Sequence, residues 1–203
     1  YHSMNVGISD LNDDGYPDVY FSNITTYVKD NKYVMPNENT QMKFDNRAMA
    51  AMLWKEANML YLSQSGEDGL QSYQPSDAIE RGPTHTGWAW DAEFLDFDND
   101  GDVDLYIGNE TNGGLDGLCQ LFENLGNGRF ADVAPSAGVT NRKFTKAVIW
   151  GDYDGDRYPD LFVSNVDGAN RLYHNNRDGT FDDVAMALGV TEPATSFPAW
   201  FWD

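Results

Sequence analysis

Cysteine is nearly absent from this chain. Cys119 is the only one, so no internal disulfide is possible, and its expected role is small apolar filler. Long apolar runs are missing too. No stretch approaches the ~18 residues that a helical membrane span requires, which removes membrane insertion from the expectations. Basic residues are scarce: 13 Lys and Arg stand against 33 Asp and Glu, and the formal net charge of −20 repels nucleic acid and anionic lipid. Catalytic signatures are also lacking, with no nucleophile elbow, phosphate-binding loop, HExxH or CxxC. No residue is assigned a catalytic role, and the chain is expected not to be an enzyme. Residues 1–5 carry none of the basic, apolar or cleavage features of a secretory leader.

What is present is repetition. The chain has 203 residues, 41% of them hydrophobic and 14% aromatic, which suits a folded domain. Three segments align without gaps: Asp10-Leu-Asn-Asp-Asp-Gly-Tyr-Pro-Asp18, Asp96-Phe-Asp-Asn-Asp-Gly-Asp-Val-Asp104 and Asp152-Tyr-Asp-Gly-Asp-Arg-Tyr-Pro-Asp160. Each runs into an apolar stretch that ends in Asn23, Asn109 or Asn165. A second motif follows. Leu121-Phe-Glu-Asn-Leu-Gly-Asn-Gly-Arg-Phe130 matches Leu172-Tyr-His-Asn-Asn-Arg-Asp-Gly-Thr-Phe181, and both continue to a Gly-Val-Thr at 138–140 and 189–191. Ala199-Trp-Phe-Trp-Asp203 opens like a further copy.

Each copy reads as four short strands: one before the acidic loop, one after it, and a hairpin with a Gly-containing turn. The second strand is apolar at nearly every position, so both its faces are buried. Repeats of this size and kind predict an all-β fold, a β-propeller of four-stranded blades. The alternative is a sandwich with accidental internal similarity. The expected blades are 1–81, 86–138 and 144–190, with the first strand of a fourth at 197–203. The first blade carries an insertion at residues 25–58, within which 45–56 reads as a short helix with Met49, Met52 and Leu53 on one side. His174 is expected on a blade surface and His85 in a turn; His2 has no assigned role.

The acidic spacing is Asp-x-(Asp/Asn)-x-Asp-x-x-x-Asp. Side-chain oxygens at positions 1, 3, 5 and 9, with a backbone carbonyl at position 7, converge on one hard cation, and an oxygen-only donor set selects calcium over zinc or copper. The expected ligands are Asp10, Asn12, Asp14, Tyr16 and Asp18; Asp96, Asp98, Asp100, Asp102 and Asp104; Asp152, Asp154, Asp156, Tyr158 and Asp160; a fourth site would begin at Asp203. An EF-hand would need a Glu at position 12, where this chain has Phe21, Ile107 and Val163. A solvated acidic turn without metal is the competing reading. In the third loop Arg157 stands at position 6 and Gly155 at position 4, so a different turn and a weaker site are expected there.

At these residues the chain resembles the FG-GAP/VCBS repeat family, which includes the integrin α-subunit propeller. The run from Gly151 to Asn165, the Arg171-Leu-Tyr-His-Asn-Asn segment and the Gly-Thr-Phe-Asp-Asp-Val-Ala that follows are similar to the sub-group found with ASPIC/UnbV domains and in cartilage-acidic-protein-like proteins. The resemblance implies bound calcium, closure into a propeller of about seven blades, and partner binding more often than catalysis. The chain then reads as part of a longer protein, with further chain or neighbouring subunits expected at the open blade edges.

The expected function is a calcium-stabilised extracellular, cell-surface or periplasmic module that binds or scaffolds a protein or glycan. The alternatives are a non-catalytic propeller attached to a secreted polysaccharide- or lipid-acting hydrolase or lyase, and a structural subunit of a large complex. Strand direction puts the 25–58 insertion on the face opposite the acidic loops, and that face is the expected partner surface.

Overall fold

The computed structural model describes residues 3–23, 58–66, 71–76, 83, 86, 88–110, 118–126 and 128–201. The insertion and its expected helix lie outside these residues, Asn58 excepted, as do His2, His85 and Asp203.

The strands are β1 (Ser3–Ser9), β2 (Asp18–Asn23), β3 (Met59–Ser65), β4 (Gln71–Pro75), β5 (Trp88–Leu95), β6 (Asp104–Glu110), β7 (Gln120–Asn124), β8 (Phe130–Asp132), β9 (Phe144–Gly151), β10 (Asp160–Val166), β11 (Arg171–Asn175) and β12 (Phe181–Asp183). They pair antiparallel in sequence order as three four-stranded meanders, β1 to β4, β5 to β8 and β9 to β12. One ladder pair, Glu110 with Phe144, joins the second meander to the third. The first strand of each lies innermost, with β5 packed against both β1 and β9. This is the blade arrangement of a β-propeller, as the repeat pattern implies.

Side-chain alternation explains why β6 is buried at every position. Leu105 and Ile107 point into a core shared with Leu11, Tyr20, Leu60, Phe122 and Phe130 of the first and second blades. Tyr106, between them, points the other way, into a core with Phe97, Leu121, Val148, Leu161 and Phe181 of the second and third. A period of two in one strand therefore feeds two inter-blade cores. Each large side chain fully buried there contributes ~1.5–3 kcal/mol.

Two features lie outside the repeat pattern as read from sequence. Each first strand carries a one-residue bulge against its partner, at Met4, Trp90 and Lys146. Two of these extra residues meet: the Lys146 ammonium sits 3.4 Å from the Trp90 ring centroid and pairs with the buried Glu110 carboxylate. The other feature follows the fourth strands of the second and third blades, β8 and β12. A single helical turn follows each, Ala134–Ala137 and Ala185–Leu188, closed by Gly138 and Gly189 at φ 81° and 71°.

Asparagines tie the blades on the face away from the acidic loops. Asn23 and Asn165, at the ends of β2 and β10, donate their amides to Asn58 and Asn170 at 2.8 and 2.9 Å. Asn58 and Asn170 then donate to hydroxyls near the start of the next blade, Thr86 and, at 2.8 Å, Ser196. Strand register puts Cys119 in the matching place of the second blade, where its sulfur lies 3.2 Å from the Thr145 hydroxyl. The cysteine expected as apolar filler thus takes the place of a polar clasp.

Asp91 and Glu93 lie on one face of β5. Asp91 accepts from the amides of Ala92 and Val148 at 3.0 and 2.9 Å and from the Asn5 side chain, linking three blades. Burial, and then the Asp91 charge, push the Glu93 carboxyl up to about 7. A carboxyl raised on folding gives stability that is full below its unfolded value, ~4.3, and is lost as pH rises through its folded value. Glu93→Gln is accordingly expected to be more stable than the parent at pH 8, by about 1 kcal/mol, and to converge with it near pH ~4.5. Denaturant melts at the two pH values check this; an equal difference at both would contradict it.

Candidate metal centres

The three acidic loops join first to second strands, β1 to β2, β5 to β6 and β9 to β10, so antiparallel pairing puts all three on one edge of the blades. The second strands end, and the third strands begin, at the other edge.

The loops share one hydrogen-bond wiring. The position-1 carboxylate caps the turn. Asp10 accepts from the Asp14 and Gly15 amides at 3.2 and 2.8 Å, Asp96 from Asp100 and Gly101 at 3.1 Å each, and Asp152 from Asp156 and Arg157 at 3.0 and 2.8 Å. Position 3, as Asn12, Asp98 or Asp154, accepts from the position-5 amide at 3.2 Å in every copy. Position 5, as Asp14, Asp100 or Asp156, accepts from the amides of Tyr16, Asp102 and Tyr158 at 2.9, 2.9 and 2.8 Å. The position-7 residues thus enter the wiring through their amides.

Position 9 is different in kind. Asp18, Asp104 and Asp160 are buried. Each splits its two oxygens between the position-2 amide and an amide of the third strand. Asp104 accepts from Phe97 at 3.1 Å and Asn124 at 2.8 Å; Asp160 accepts from Tyr153 at 3.1 Å and Asn175 at 2.9 Å; Asp18 accepts from Leu11 at 2.9 Å and Ser63 at 2.7 Å. The residue that closes the acidic motif therefore also clamps the loop to its own sheet.

A second clamp reaches the next blade. Asn124 donates to the carbonyl of Leu11 at 3.0 Å, and Asn175 donates to that of Phe97 at 2.9 Å. The Leu11 and Phe97 side chains enter the two inter-blade cores. Loop conformation and blade docking are one structural problem, and sequence reasoning saw only the first half of it.

In the second and third loops, carboxylate oxygens of positions 1, 3 and 9 come close together. Oxygens of Asp96, Asp98 and Asp104, and of Asp152, Asp154 and Asp160, lie within 4.8 Å of one another. Burial pushes Asp104 up to about 7 and raises Asp160. Asp98 is raised by burial and by the Asp100 and Asp96 charges. Asp152 is lowered, chiefly by the Arg157 amide, and Asp156 chiefly by the Arg177 side chain. Close, partly buried carboxylate oxygens whose protons are not firmly held could hold a hard divalent cation, and an oxygen-only donor set is the kind that calcium takes.

The third loop departs from expectation. Its turn is the same as the others despite the Gly155/Arg157 exchange. Position 4 takes positive φ in all three, 58° at Asp13, 61° at Asn99 and 78° at Gly155; position 6 does so at 85°, 102° and 73° for Gly15, Gly101 and Arg157. Two left-handed residues are required, and this copy moves its glycine from one to the other at the expense of strain at Arg157. His174 lies on the blade surface, 28% exposed, and close to the third loop. Its Nδ1 lies 3.2 Å from Asp160 and 3.5 Å from Asp154, and it groups with Asp154 and Asp156. The equivalent positions of the first and second blades hold Leu62 and Glu123, a column beside each loop whose mixture of chemistries was the available signal.

Residues 96–163 and 152–201 match the FG-GAP-like repeat. Over 199 residues, 95% of this chain, it is 27% identical to Cartilage acidic protein 1 of Homo sapiens and spans 27% of that protein's length. The Mus musculus protein of the same name is 34% identical over 49% of this chain, and that of Xenopus tropicalis 31% over 48%; each match spans 16% of the relative.

Proposed function

This chain belongs to the FG-GAP-like repeat family, and on that premise we propose that it is a calcium-stabilised extracellular β-propeller segment that binds or scaffolds a protein or glycan. The observation that carries the reading is the identical wiring of three oxygen-lined loops, each tied to its own sheet and the first two also to the following blade. A calcium ion there supplies positive charge that lets the converging carboxylates stay ionised. The residues that would hold it are Asp10, Asn12, Asp14 and Asp18; Asp96, Asp98, Asp100 and Asp104; Asp152, Asp154, Asp156 and Asp160; with the carbonyls of Tyr16, Asp102 and Tyr158. Sites of ~10⁻⁴–10⁻³ M affinity, typical of extracellular modules, fill outside the cell. No helix among the described residues is long and apolar enough to cross a membrane.

Exposed apolar side chains at both outer blades, Ile8 at 63% on one side and Met186 at 89% and Trp200 at 68% on the other, support further chain or neighbouring subunits there. The partner surface of this reading is residues 25–58 together with the Gly-Val-Thr loops at 138–140 and 189–191, on the face opposite the acidic loops. Deleting 31–47 is expected to abolish partner capture and leave the melting temperature within a few degrees. Unchanged capture with a large loss of stability would contradict the assignment and make the segment a cap on its own blade.

A further inference from the structure

The second and third loops share a backbone but not a charge environment. Around the second loop, Asp96, Asp98, Asp100 and Asp104 are joined by Asp102 at position 7, and Glu123 lines the same cleft as Asp98 and Asp100, a cleft whose far wall is the Arg177 hairpin of the third blade. Around the third, four corresponding differences run toward positive charge, while Asp178 for Asn127 and Thr180 for Arg129 in the hairpin turn run the other way. Tyr158 replaces Asp102, Arg157 replaces Gly101, His174 replaces Glu123, and Arg177 replaces Gly126.

Arg177 is the most direct of these. Its Nε and Nη2 both donate to Asp156 Oδ2, at 3.0 and 2.6 Å, while the Tyr158 amide donates to Oδ1. The guanidinium carbon lies 5.2 Å from the Tyr158 ring centroid, so the ring that stands where the second blade has Asp102 also supports the arginine. Both oxygens of this position-5 carboxylate are therefore engaged. In the second loop, among the described residues, Asp100 has one such donor, the Asp102 amide.

The difference is electrostatic rather than steric. Gly126 and Arg177 hold the same turn, with φ of 73° and 66°, and each donates its amide to the preceding asparagine, Asn124 or Asn175, at 3.0 and 2.9 Å. A Cβ at Gly126 would meet only Asp102 Oδ2, 3.8 Å away. There is room for a side chain, at the cost of the left-handed backbone strain that Arg177 already carries in the third blade, and the second blade lacks one.

We infer that Arg177 sets the calcium affinity of the third loop below that of the second, by holding Asp156 with an internal cation and repelling a bound one. The inference rests on the calcium reading above. Its consequence is ordered loading: the second loop fills first, and the third responds over a higher range of calcium.

Calcium titrations of the chain by isothermal calorimetry test this, with the parent beside Arg177→Gln, Gly126→Arg and Asp152→Ala. Arg177→Gln is expected to tighten the weakest class of sites on the order of fivefold and leave the tightest unchanged. Gly126→Arg is expected to weaken the tightest class by a similar factor. Asp152→Ala is expected to delete the class that Arg177→Gln shifts. Calcium binding with every affinity unmoved by Arg177→Gln would overturn the inference and leave the metal reading standing. No uptake by any variant would overturn both.

Discussion

Asp104→Ala is expected to destabilise the chain by about 3–5 kcal/mol, with or without calcium. The carboxylate is 1% exposed and accepts from two buried amides, Phe97 and Asn124. Alanine leaves both amides without an acceptor and opens a small void beside Val103 and Phe97. The damage reaches beyond one blade, because Asn124 holds Leu11 of the first loop and the Phe97 carbonyl is held by Asn175 of the third blade. In a chain of this size the loss corresponds to a fall in melting temperature of roughly 10 °C. Asp104→Asn keeps one acceptor oxygen of similar shape and is expected to fall between parent and alanine. A loss under about 1 kcal/mol for the alanine variant would show that position 9 is not the clamp its hydrogen bonds describe.

Chelation is expected to have the other large effect. Millimolar calcium is roughly 1–10 times the dissociation constant of a ~10⁻⁴–10⁻³ M site, and a ligand at that level that binds only the folded state adds about 0.4–1.4 kcal/mol per site. Three sites together then place the melting temperature in millimolar calcium several degrees above that in excess chelator. The loss should be cooperative, since the position-2 residues Leu11 and Phe97 are shared between a loop and the neighbouring blade. Circular dichroism melts in the two buffers check this. Superimposable curves would mean that the loops hold their shape by the hydrogen bonds alone.

Much of this was legible in the sequence because it is local and repeated. The gapless acidic motif, the apolar second strand and the Gly-containing hairpin turns fix strand order and direction without long-range information. The inter-blade ties were not legible. The bond from Asn124 to Leu11 joins residues 113 apart, and an asparagine at the end of a strand reads as an ordinary turn residue. The bulges at Met4, Trp90 and Lys146 add one residue to strands whose inner faces are already apolar, so the pattern hardly changes. The third loop's turn was misjudged because glycine was sought at position 6. The fold needs left-handed backbone at positions 4 and 6, and glycine can serve at either. His174 and Arg177 were missed as neighbours of the third loop because both come from the β11 hairpin, which only the folded sheet brings alongside.

The central claim is that these loops bind calcium, and ion stoichiometry tests it most directly. Equilibrium dialysis of the chelator-stripped chain against radioactive calcium, carried to millimolar concentration, is expected to approach one ion for each of the three loops, with the last ion entering more weakly than the others. No bound calcium over that range would contradict the account.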